Sequence, residues 1–262
     1  MDLNLKNKTA IVCGSTQGIG KAAAIELSKM GANLVLIARN EESLKQAMGE
    51  LESSQGQKHK YLCADFSKPQ ELKQKIEEFI KTNGSAHILV NNTGGPPGGL
   101  ITNAKTDDFI STFNNHLICN HILMQAVIEG MKTEKYGRII NVISTSVKQP
   151  LKGLGVSNTI RAAVANWSKT LANEVAGYGI TVNNVLPGAT NTQRLRSLIE
   201  VKSEKTGVAA SEITNEMESE IPAGRFAEAH EIAAAIAFLA SPAAAYITGI
   251  NLPVDGGRTG CL

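Results

Sequence analysis

The chain has 262 residues, a length that allows one large α/β domain or two small ones. Its net charge of +2 provides no general attraction for nucleic acid or for an anionic membrane, so we expect neither as a partner. The four cysteines form no C-x-x-C pair, and the sequence shows neither a signal-peptide pattern nor an apolar run of about eighteen residues. These features argue against a disulfide framework and a structural zinc site, and we expect a cytoplasmic protein that binds no metal.

Short apolar segments alternate with amphipathic ones along the chain. Strands are expected at 9–14, 32–38, 60–65, 87–92, 137–144, 180–188 and 250–255. Helices are expected at 18–30, 41–54, 69–82, 107–131, 155–177 and 228–240. Because the strands are rich in Val, Ile and Leu without strict alternation, they suit a sheet that is buried on both faces. The alternating order predicts a parallel, doubly wound α/β sheet in a single domain covering 1–262.

The first loop, "CGSTQGIGKA", lies between the first strand and the first helix. Gly14, Gly18 and Gly20 allow a tight turn and a close approach of the backbone to a ligand. The helix that follows presents free N–H groups and the positive end of its dipole, which suit a pyrophosphate. The spacing differs from the common G-x-G-x-x-G, but the strand–turn–helix context predicts a dinucleotide site. A purely structural turn is the alternative.

The second strand ends in "IARN", near the point where the adenosine ribose of a dinucleotide lies in such folds. An acidic residue there would bind the 2′-hydroxyl of NAD, whereas Arg39 can bind the 2′-phosphate of NADP through charge-assisted hydrogen bonds. We therefore expect NADP(H) in preference to NAD(H). The alternative is that Arg39 is a solvated loop charge.

Three later loops place polar or small residues at the ends of strands. Asp65 ends the third strand, Asn91 and two glycines lie in "NNTGG", and "LPGATNT" follows the sixth strand. Open α/β sheets bind ligands at the carboxyl ends of their strands, so we expect these loops to border one site. The charged segment 193–224 interrupts the alternation, and both a lid over the ligand and a solvated pair of surface helices fit it.

The ordered motifs "CGSTQGIG", "NNTG", "GRIINVIS", "LPGATNT" and "VDGG" resemble those of the short-chain dehydrogenase/reductase family, in particular its 3-oxoacyl-acyl-carrier-protein reductase group. The resemblance covers nearly the whole chain. It implies a three-layer Rossmann sheet of about seven strands, a nicotinamide cofactor, a small carbonyl or alcohol substrate, and a homotetramer or homodimer. The cofactor contacts that it implies are Gly14, Ser15, Gln17, Gly18, Ile19, Gly20, Arg39, Asp65, Phe66, Asn91, Gly94, Arg161, Pro187, Gly188 and Thr192.

The catalytic residues of that family are an Asn, a Ser, and the Tyr and Lys of a Y-x-x-x-K motif. The Ser matches Ser144, which by resemblance would hydrogen bond the substrate oxygen. Ser157 stands at the Tyr position, 13 residues after Ser144 (157 − 144) as the family's spacing requires, and Arg161 stands at the Lys position. The Asn position falls on His116, with Asn115 adjacent.

These substitutions change what the site can do. A tyrosine with a pKa of about 10 can act as a general acid, but the aliphatic hydroxyl of Ser157 is a poor proton donor at neutral pH. Arg161 keeps the positive charge and can bond the nicotinamide ribose, but it does not release a proton. Two nearby residues could supply the proton: Lys148, which could instead bind an anionic substrate, and His116. A solvent-facing lysine and a structural histidine are the alternatives.

Two classes of function fit this pattern. The first is an NADP(H)-dependent oxidoreductase with a substitute proton donor, acting on a carbonyl or alcohol group such as that of a 3-oxoacyl thioester. The second is a dinucleotide-binding protein without catalysis, serving as a sensor or structural subunit. The retained Ser144 favours the first, and the missing Tyr–Lys pair favours the second. A different enzyme with a structural nucleotide has no positive support, and we favour the oxidoreductase.

Overall fold

A computed structural model describes residues 1–96 and 98–261 of the chain. Seven parallel strands form one sheet in the order β3-β2-β1-β4-β5-β6-β7. The strands are β1 (Thr9–Cys13), β2 (Asn33–Ala38), β3 (Lys60–Cys63), β4 (Ile88–Asn91), β5 (Gly137–Val142), β6 (Ile180–Pro187) and β7 (Asn251–Val254). Every strand end lies within about two residues of its expected position, so the predicted Rossmann-type α/β fold is confirmed.

Helices connect these strands. They are α1 (Gly18–Lys29), α2 (Glu41–Gly49), α3 (Pro69–Asn83), α4 (Thr106–Phe113), α5 (Cys119–Glu134), α6 (Gly155–Val175), α7 (Gln193–Thr206), α8 (Ala210–Ser219) and α9 (Ala229–Ala240). The single helix expected at 107–131 is instead α4 and α5, separated by a π-helical turn at Asn114–Ile118. The helix expected at 41–54 ends already at Gly49, since glycine disfavours helix interiors. No helix among the described residues is long and apolar enough to cross a membrane.

Both faces of the sheet are buried, as the continuous apolar strands predicted. On β1, Ala10 and Val12 pack against the layer that contains α1, α2 and α9. Ile11 and Cys13 point to the opposite layer, which contains α3, α5 and α6. The result is a three-layer α/β/α arrangement with one apolar core on each side of the sheet.

The strand order reverses at β1. This strand pairs with β2 on one side and with β4 on the other, so the chain winds first in one direction and then in the opposite one. The loops that leave β1 and β4 therefore diverge and open a crevice at the carboxyl edge of the sheet. Ligands of open α/β sheets bind in such a crevice.

Four asparagines form a row across the sheet that the sequence analysis did not anticipate. Asn91, Asn141, Asn184 and Asn251 occupy paired positions on β4, β5, β6 and β7. Their side-chain amides hydrogen bond in sequence at 2.8, 3.0 and 2.8 Å. Ser168 of α6 joins the row through its hydroxyl, which lies 2.9 Å from the Asn141 amide nitrogen. This asparagine row therefore fixes the register of four strands and ties α6 to the sheet.

Candidate active site

A cleft of about 630 Å³ lies at the carboxyl ends of β1, β2 and β4, a size typical of small-molecule sites. The predicted cofactor residues that line it are Gly14, Gln17, Gly18, Ile19, Arg39, Asp65, Phe66, Gly94 and Thr192. The other lining residues are Thr16, Ile37, Ala38, Asn40, Ala64, Ser67, Asn92, Thr93, Gly95, Asn115, Gln193 and Arg194. The structure therefore brings the glycine loop, the β2 tip and the start of α7 together around one opening.

The glycine loop needs its glycines for backbone reasons. Gly14 and Gly18 have φ values of +57° and +55°, in the left-handed region that side chains disfavour. A Cβ on Gly20 would lie 2.2 Å from the carbonyl oxygen of Gly14, so the first turn of α1 packs directly on the loop. The amide of Asn92 donates to the Cys13 carbonyl at 3.2 Å and joins the ends of β1 and β4. These contacts hold the amino end of α1 open toward the cleft, as a diphosphate requires.

The β2 tip carries a positive charge and no acidic residue. Arg39 is exposed and lines the cleft between Ala38 and Asn40. Across the cleft, Asp65 accepts a hydrogen bond from the Ser67 amide at 2.9 Å. That bond lowers the pKa of Asp65, and the charge of Arg39 contributes in the same direction. This arrangement suits a 2′-phosphate at Arg39 better than a 2′-hydroxyl, which would call for a carboxylate at the tip.

Some predicted cofactor residues do not line the cleft. Ser15 is buried, and its hydroxyl lies 3.4 Å from the Ile37 carbonyl oxygen. Asn91 uses its amide in the asparagine row, while the next residue, Asn92, reaches the cleft. A Cβ on Gly188 would meet the Cα of Asp255 at 2.7 Å, so this glycine permits close packing. Gly20, Pro187 and Arg161 also lie outside the lining.

Ser144 and α6 border the carboxyl end of β5. Ser144 begins a 3-10 turn at Thr145–Val147, and its Oγ accepts a hydrogen bond from the Ser146 amide at 3.1 Å. This bond leaves the hydroxyl proton of Ser144 free to donate. Ser157 lies half-buried in the first turn of α6, a helix that packs against both the 3-10 turn and the π-helical turn. Ser157 thus lies on a helix that packs against the turn after Ser144, and the catalytic roles that the resemblance implies stay a prediction.

Arg161 is buried one turn after Ser157. Its Nη1 donates to the Val142 carbonyl at 2.8 Å, and its Nε is buried with no hydrogen-bond partner in the described part of the chain. Burial, together with the charge of Arg194, lowers the pKa of Arg161 to about 10. The guanidinium therefore remains charged at neutral pH.

The π-helical turn separates the two candidates for the Asn position. Asn115 lines the cleft, whereas His116 is buried and its Nδ1 lies 2.6 Å from the Thr93 hydroxyl. Burial, followed by the charges of Arg161 and Arg194, lowers the pKa of His116 to about 2. The imidazole is therefore neutral at physiological pH, and it holds no extra proton to donate to a substrate. π-helical turns occur frequently at functional sites, and this one turns an asparagine toward the cleft.

Lys148 lies on the loop after the 3-10 turn and is half-buried. Its ammonium takes part in none of the ion pairs formed by residues 1–96 and 98–261. The end of the described chain rests on the same loop, since the Cys261 thiol lies 3.8 Å from the Lys148 carbonyl oxygen. Lys148 therefore forms no ion pair with the part of the chain that the structure describes, and it lies four residues after Ser144 in the sequence.

No cluster of three or more metal-ligating side chains occurs among the residues that the structure describes. The fit of a dinucleotide rests on the cleft instead. The side of Gly94 that would carry a Cβ has nothing within 4 Å, so the backbone of the β4 loop is open to a ligand. The volume, the glycine loop and the positive β2 tip all match a phosphorylated dinucleotide.

Comparison with known proteins places the chain in a family. The protein-family sequence model described as "Enoyl-(Acyl carrier protein) reductase" matches residues 14–259. The 3-oxoacyl-[acyl-carrier-protein] reductase FabG of Vibrio cholerae is 35% identical over 257 residues, covering 97% of this chain and 98% of that protein. The NADPH-dependent reductase BacG of Bacillus subtilis is 30% identical over 254 residues, with 97% and 98% covered.

A solved structure agrees with these sequence matches. L-sorbose reductase from Gluconobacter frateurii, complexed with NADPH and L-sorbose, superposes with a TM-score of 0.93 at 30% identity, with 100% of both chains covered. The chain belongs to the short-chain dehydrogenase/reductase family of NAD(P)-dependent oxidoreductases acting on carbonyl and alcohol groups.

Proposed function

We propose that the protein is an NADP(H)-dependent reductase of carbonyl compounds with a rearranged proton-donating site. The observation that carries this proposal is the cleft itself, which joins an intact glycine loop to an arginine at the β2 tip. Gly14, Gln17 and Gly18 would hold the diphosphate, and Arg39 the 2′-phosphate. The NADPH-dependent relatives support the choice of NADP(H) over NAD(H). When bound, the reduced nicotinamide supplies a hydride.

Ser144 would orient the substrate. Because its Oγ already accepts from the Ser146 amide, its hydroxyl proton points to an acceptor elsewhere, and a carbonyl oxygen fits that role. Arg161 would bond the nicotinamide ribose and place a positive charge near the oxygen that becomes negative during reduction. Asn115 would take the asparagine position at the cleft. Ser157 adds a small polar surface but no acid of suitable strength.

Lys148 is the candidate for the proton donor. Its ammonium is unpaired among the described residues and follows Ser144 on the same loop. A lysine ammonium can transfer a proton to an alkoxide, which an arginine in the Lys position does not do. The neutral His116 is better suited to a structural role through its bond with Thr93.

The missing Tyr–Lys pair favours a second candidate function, a dinucleotide-binding sensor or structural subunit without catalysis. Titration with NADPH and NADH, followed by nicotinamide fluorescence, tests binding. Addition of 3-oxoacyl thioesters, quinones and small ketones then tests turnover. NADPH oxidation supports the reductase, whereas tight binding without oxidation across the panel supports the second function.

Other features of the proposal come from the family and the fold. The FabG relatives make a 3-oxoacyl thioester a candidate substrate. We also propose a homotetramer or homodimer, and a single cytoplasmic domain. The start of α7 lines the cleft through Thr192, Gln193 and Arg194, which supports the lid hypothesis for 193–224 over a purely solvated helix pair.

A further inference from the structure

The positive charge of Arg161 is balanced by no carboxylate within residues 1–96 and 98–261. Its guanidinium is buried at the start of α6, where Nη1 bonds only to the Val142 carbonyl and Nε bonds to nothing among the described residues. None of the ion pairs in that part of the chain includes it. A buried charge without a counter-ion is unfavourable, so a negatively charged ligand group beside the Arg161 guanidinium would be stabilising.

A second guanidinium reaches the same region from α7. Arg194 lines the cleft and lies across the face of Gly95, where an added Cβ would meet Nη2 at 2.8 Å. The same Nη2 donates to the Pro96 carbonyl at 2.9 Å. Arg194, too, is absent from the ion pairs within 1–96 and 98–261. Gly95 thus provides the space in which the guanidinium rests at the rim of the cleft.

The backbone carbonyls that the two arginines bond lie at the carboxyl end of β5 and on the loop that follows the neighbouring strand β4. β4 and β5 pair through Asn91 and Asn141, so the loop at 93–96 starts beside Val142, to which Arg161 is bonded. His116 joins this region through its hydrogen bond with Thr93. The charge of Arg194 lowers the pKa of Arg161, and both charges lower the pKa of His116, as expected for neighbouring cations. An anion between the two guanidinium groups would remove their repulsion.

We propose that Arg161 and Arg194 together bind the carboxylate of an oxo-acid substrate, beside the carbonyl group that Ser144 orients. This inference rests on the proposed reductase function and adds the substrate class. Guanidinium groups bind carboxylates through paired, charge-assisted hydrogen bonds. Arg161 has five N–H donors and uses one for Val142, which leaves donors for both the ribose and a carboxylate. Esters and thioesters lack this carboxylate, so the subsite favours free oxo acids over the 3-oxoacyl thioesters that the FabG relatives make candidates.

The phosphates of the dinucleotide are a second source of negative charge in the same cleft. If Arg194 bound them instead, its loss would weaken nucleotide binding and would leave the preference among substrates unchanged. Nucleotide affinity and acid preference must therefore be measured separately. NADP⁺ serves for both measurements, because it cannot reduce a carbonyl and the complex stays intact during titration.

The test uses acetoacetate and methyl acetoacetate, an oxo acid and its neutral ester, titrated calorimetrically into the protein saturated with NADP⁺. We expect the acid to bind about 10- to 100-fold more tightly than the ester, as charge-assisted hydrogen bonds produce. Arg194→Gln removes this preference and changes NADP⁺ affinity less than about threefold. Arg196→Gln is the matched control: this exposed arginine of the same helix bonds Asn191 at 3.1 Å, and its loss leaves the preference intact.

Equal binding of acid and ester by the wild-type protein would overturn the proposal. So would an Arg194→Gln variant that keeps the acid preference but loses nucleotide affinity tenfold or more, which assigns Arg194 to the cofactor phosphates. If no nucleotide binds, the reductase proposal fails on its own, and acetoacetate is titrated into the nucleotide-free protein. Binding that depends on Arg194 then supports the subsite, and absence of such binding overturns it.

Discussion

The site has two halves that depend on different properties of the chain. The glycine-loop half lies around Gly14 and Arg39, and the catalytic half lies around Ser144, Ser157 and Arg161. Around Gly14, Gly20 and Arg39, the chain keeps the elements that hold a dinucleotide in its family. Around Ser157 and Arg161, we propose that it keeps the positions of the family's Tyr and Lys with different side chains. Phosphate binding depends on backbone geometry, which glycines and helix ends provide, whereas proton transfer depends on the acidity of one particular group. The comparison predicts that nucleotide binding and proton transfer can separate within one site.

The largest expected effect is on the glycine-loop half. Gly20→Ala places a methyl group 2.2 Å from the Gly14 carbonyl oxygen, so the loop must move. We expect NADPH binding to fall below detection by fluorescence titration and the free energy of unfolding to fall by about 1–3 kcal/mol. Gly49→Ala is the control, because nothing lies within 4 Å of that position at the end of α2. Normal NADPH affinity in Gly20→Ala would show that the tight turn is dispensable.

Ser144→Ala tests the catalytic half without touching the glycine loop. Loss of the hydrogen bond that we propose from Ser144 to the substrate oxygen is expected to lower kcat about 10²- to 10³-fold, with NADPH affinity unchanged. Ser146→Ala is the matched control, since the hydroxyl of Ser146 is buried without a partner among the described residues. Steady-state kinetics with any carbonyl compound that the wild type reduces measures kcat for both variants. Equal losses of kcat in Ser144→Ala and Ser146→Ala would contradict a catalytic role for Ser144.

Arg39→Ala sharpens the comparison within the glycine-loop half. A charge-assisted bond to the 2′-phosphate contributes about 1.5–3 kcal/mol, so NADPH should bind about 10- to 100-fold more weakly. NADH, which lacks the phosphate, should bind as before. Fluorescence titrations with both nucleotides measure the difference. An equal loss of NADH affinity would indicate that Arg39 stabilises the loop and does not recognise the 2′-phosphate.

The smallest effect concerns His116 and pH. In the folded protein the pKa of His116 is lowered to about 2, whereas an unfolded histidine titrates near 6.5. The unfolded state therefore binds the additional proton below about pH 6.5, and stability falls as pH falls, by about 1 kcal/mol from His116 between pH 6.5 and 5.5. Urea unfolding at these two pH values should show this loss, and His116→Gln should reduce the loss by about that amount.

The exposed His230 provides the control for that experiment. His230→Gln should leave in place the pH effect that depends on His116. A His116→Gln variant with an undiminished slope would contradict the neutral, buried imidazole. It would also make His116 a candidate proton donor again.

Most of the fold and of the glycine-loop half followed from local sequence. Buried parallel strands read as apolar runs, and glycines with a required backbone geometry stand in the loop "CGSTQGIG". The asparagine row could not be predicted, because it depends on the register of four strands distant in sequence. The π-helical turn was missed for a related reason: one extra residue in the helical ladder changes which side chains face the cleft, and here Asn115 lines the cleft while His116 is buried.

Arg194 was missed because it lies in a charged segment where surface helices are the ordinary expectation. Only the fold brings the start of α7 over Gly95. The glycine at that position is the one local signal, since it leaves space for a side chain from elsewhere. The assignment of Ser157 and Arg161 to the Tyr and Lys positions rests on the family resemblance and its spacing, and both this assignment and their chemistry stay predictions.

The most direct test of the account is NADPH oxidation by the purified protein in the presence of 3-oxoacyl thioesters, free oxo acids, quinones and small ketones. The account predicts that NADPH binds and that at least one carbonyl compound oxidises it, with dependence on Ser144. Tight binding of NADPH without oxidation by any member of the panel would contradict the reductase proposal and favour a non-catalytic nucleotide-binding protein. Failure to bind NADPH or NADH would contradict both functions.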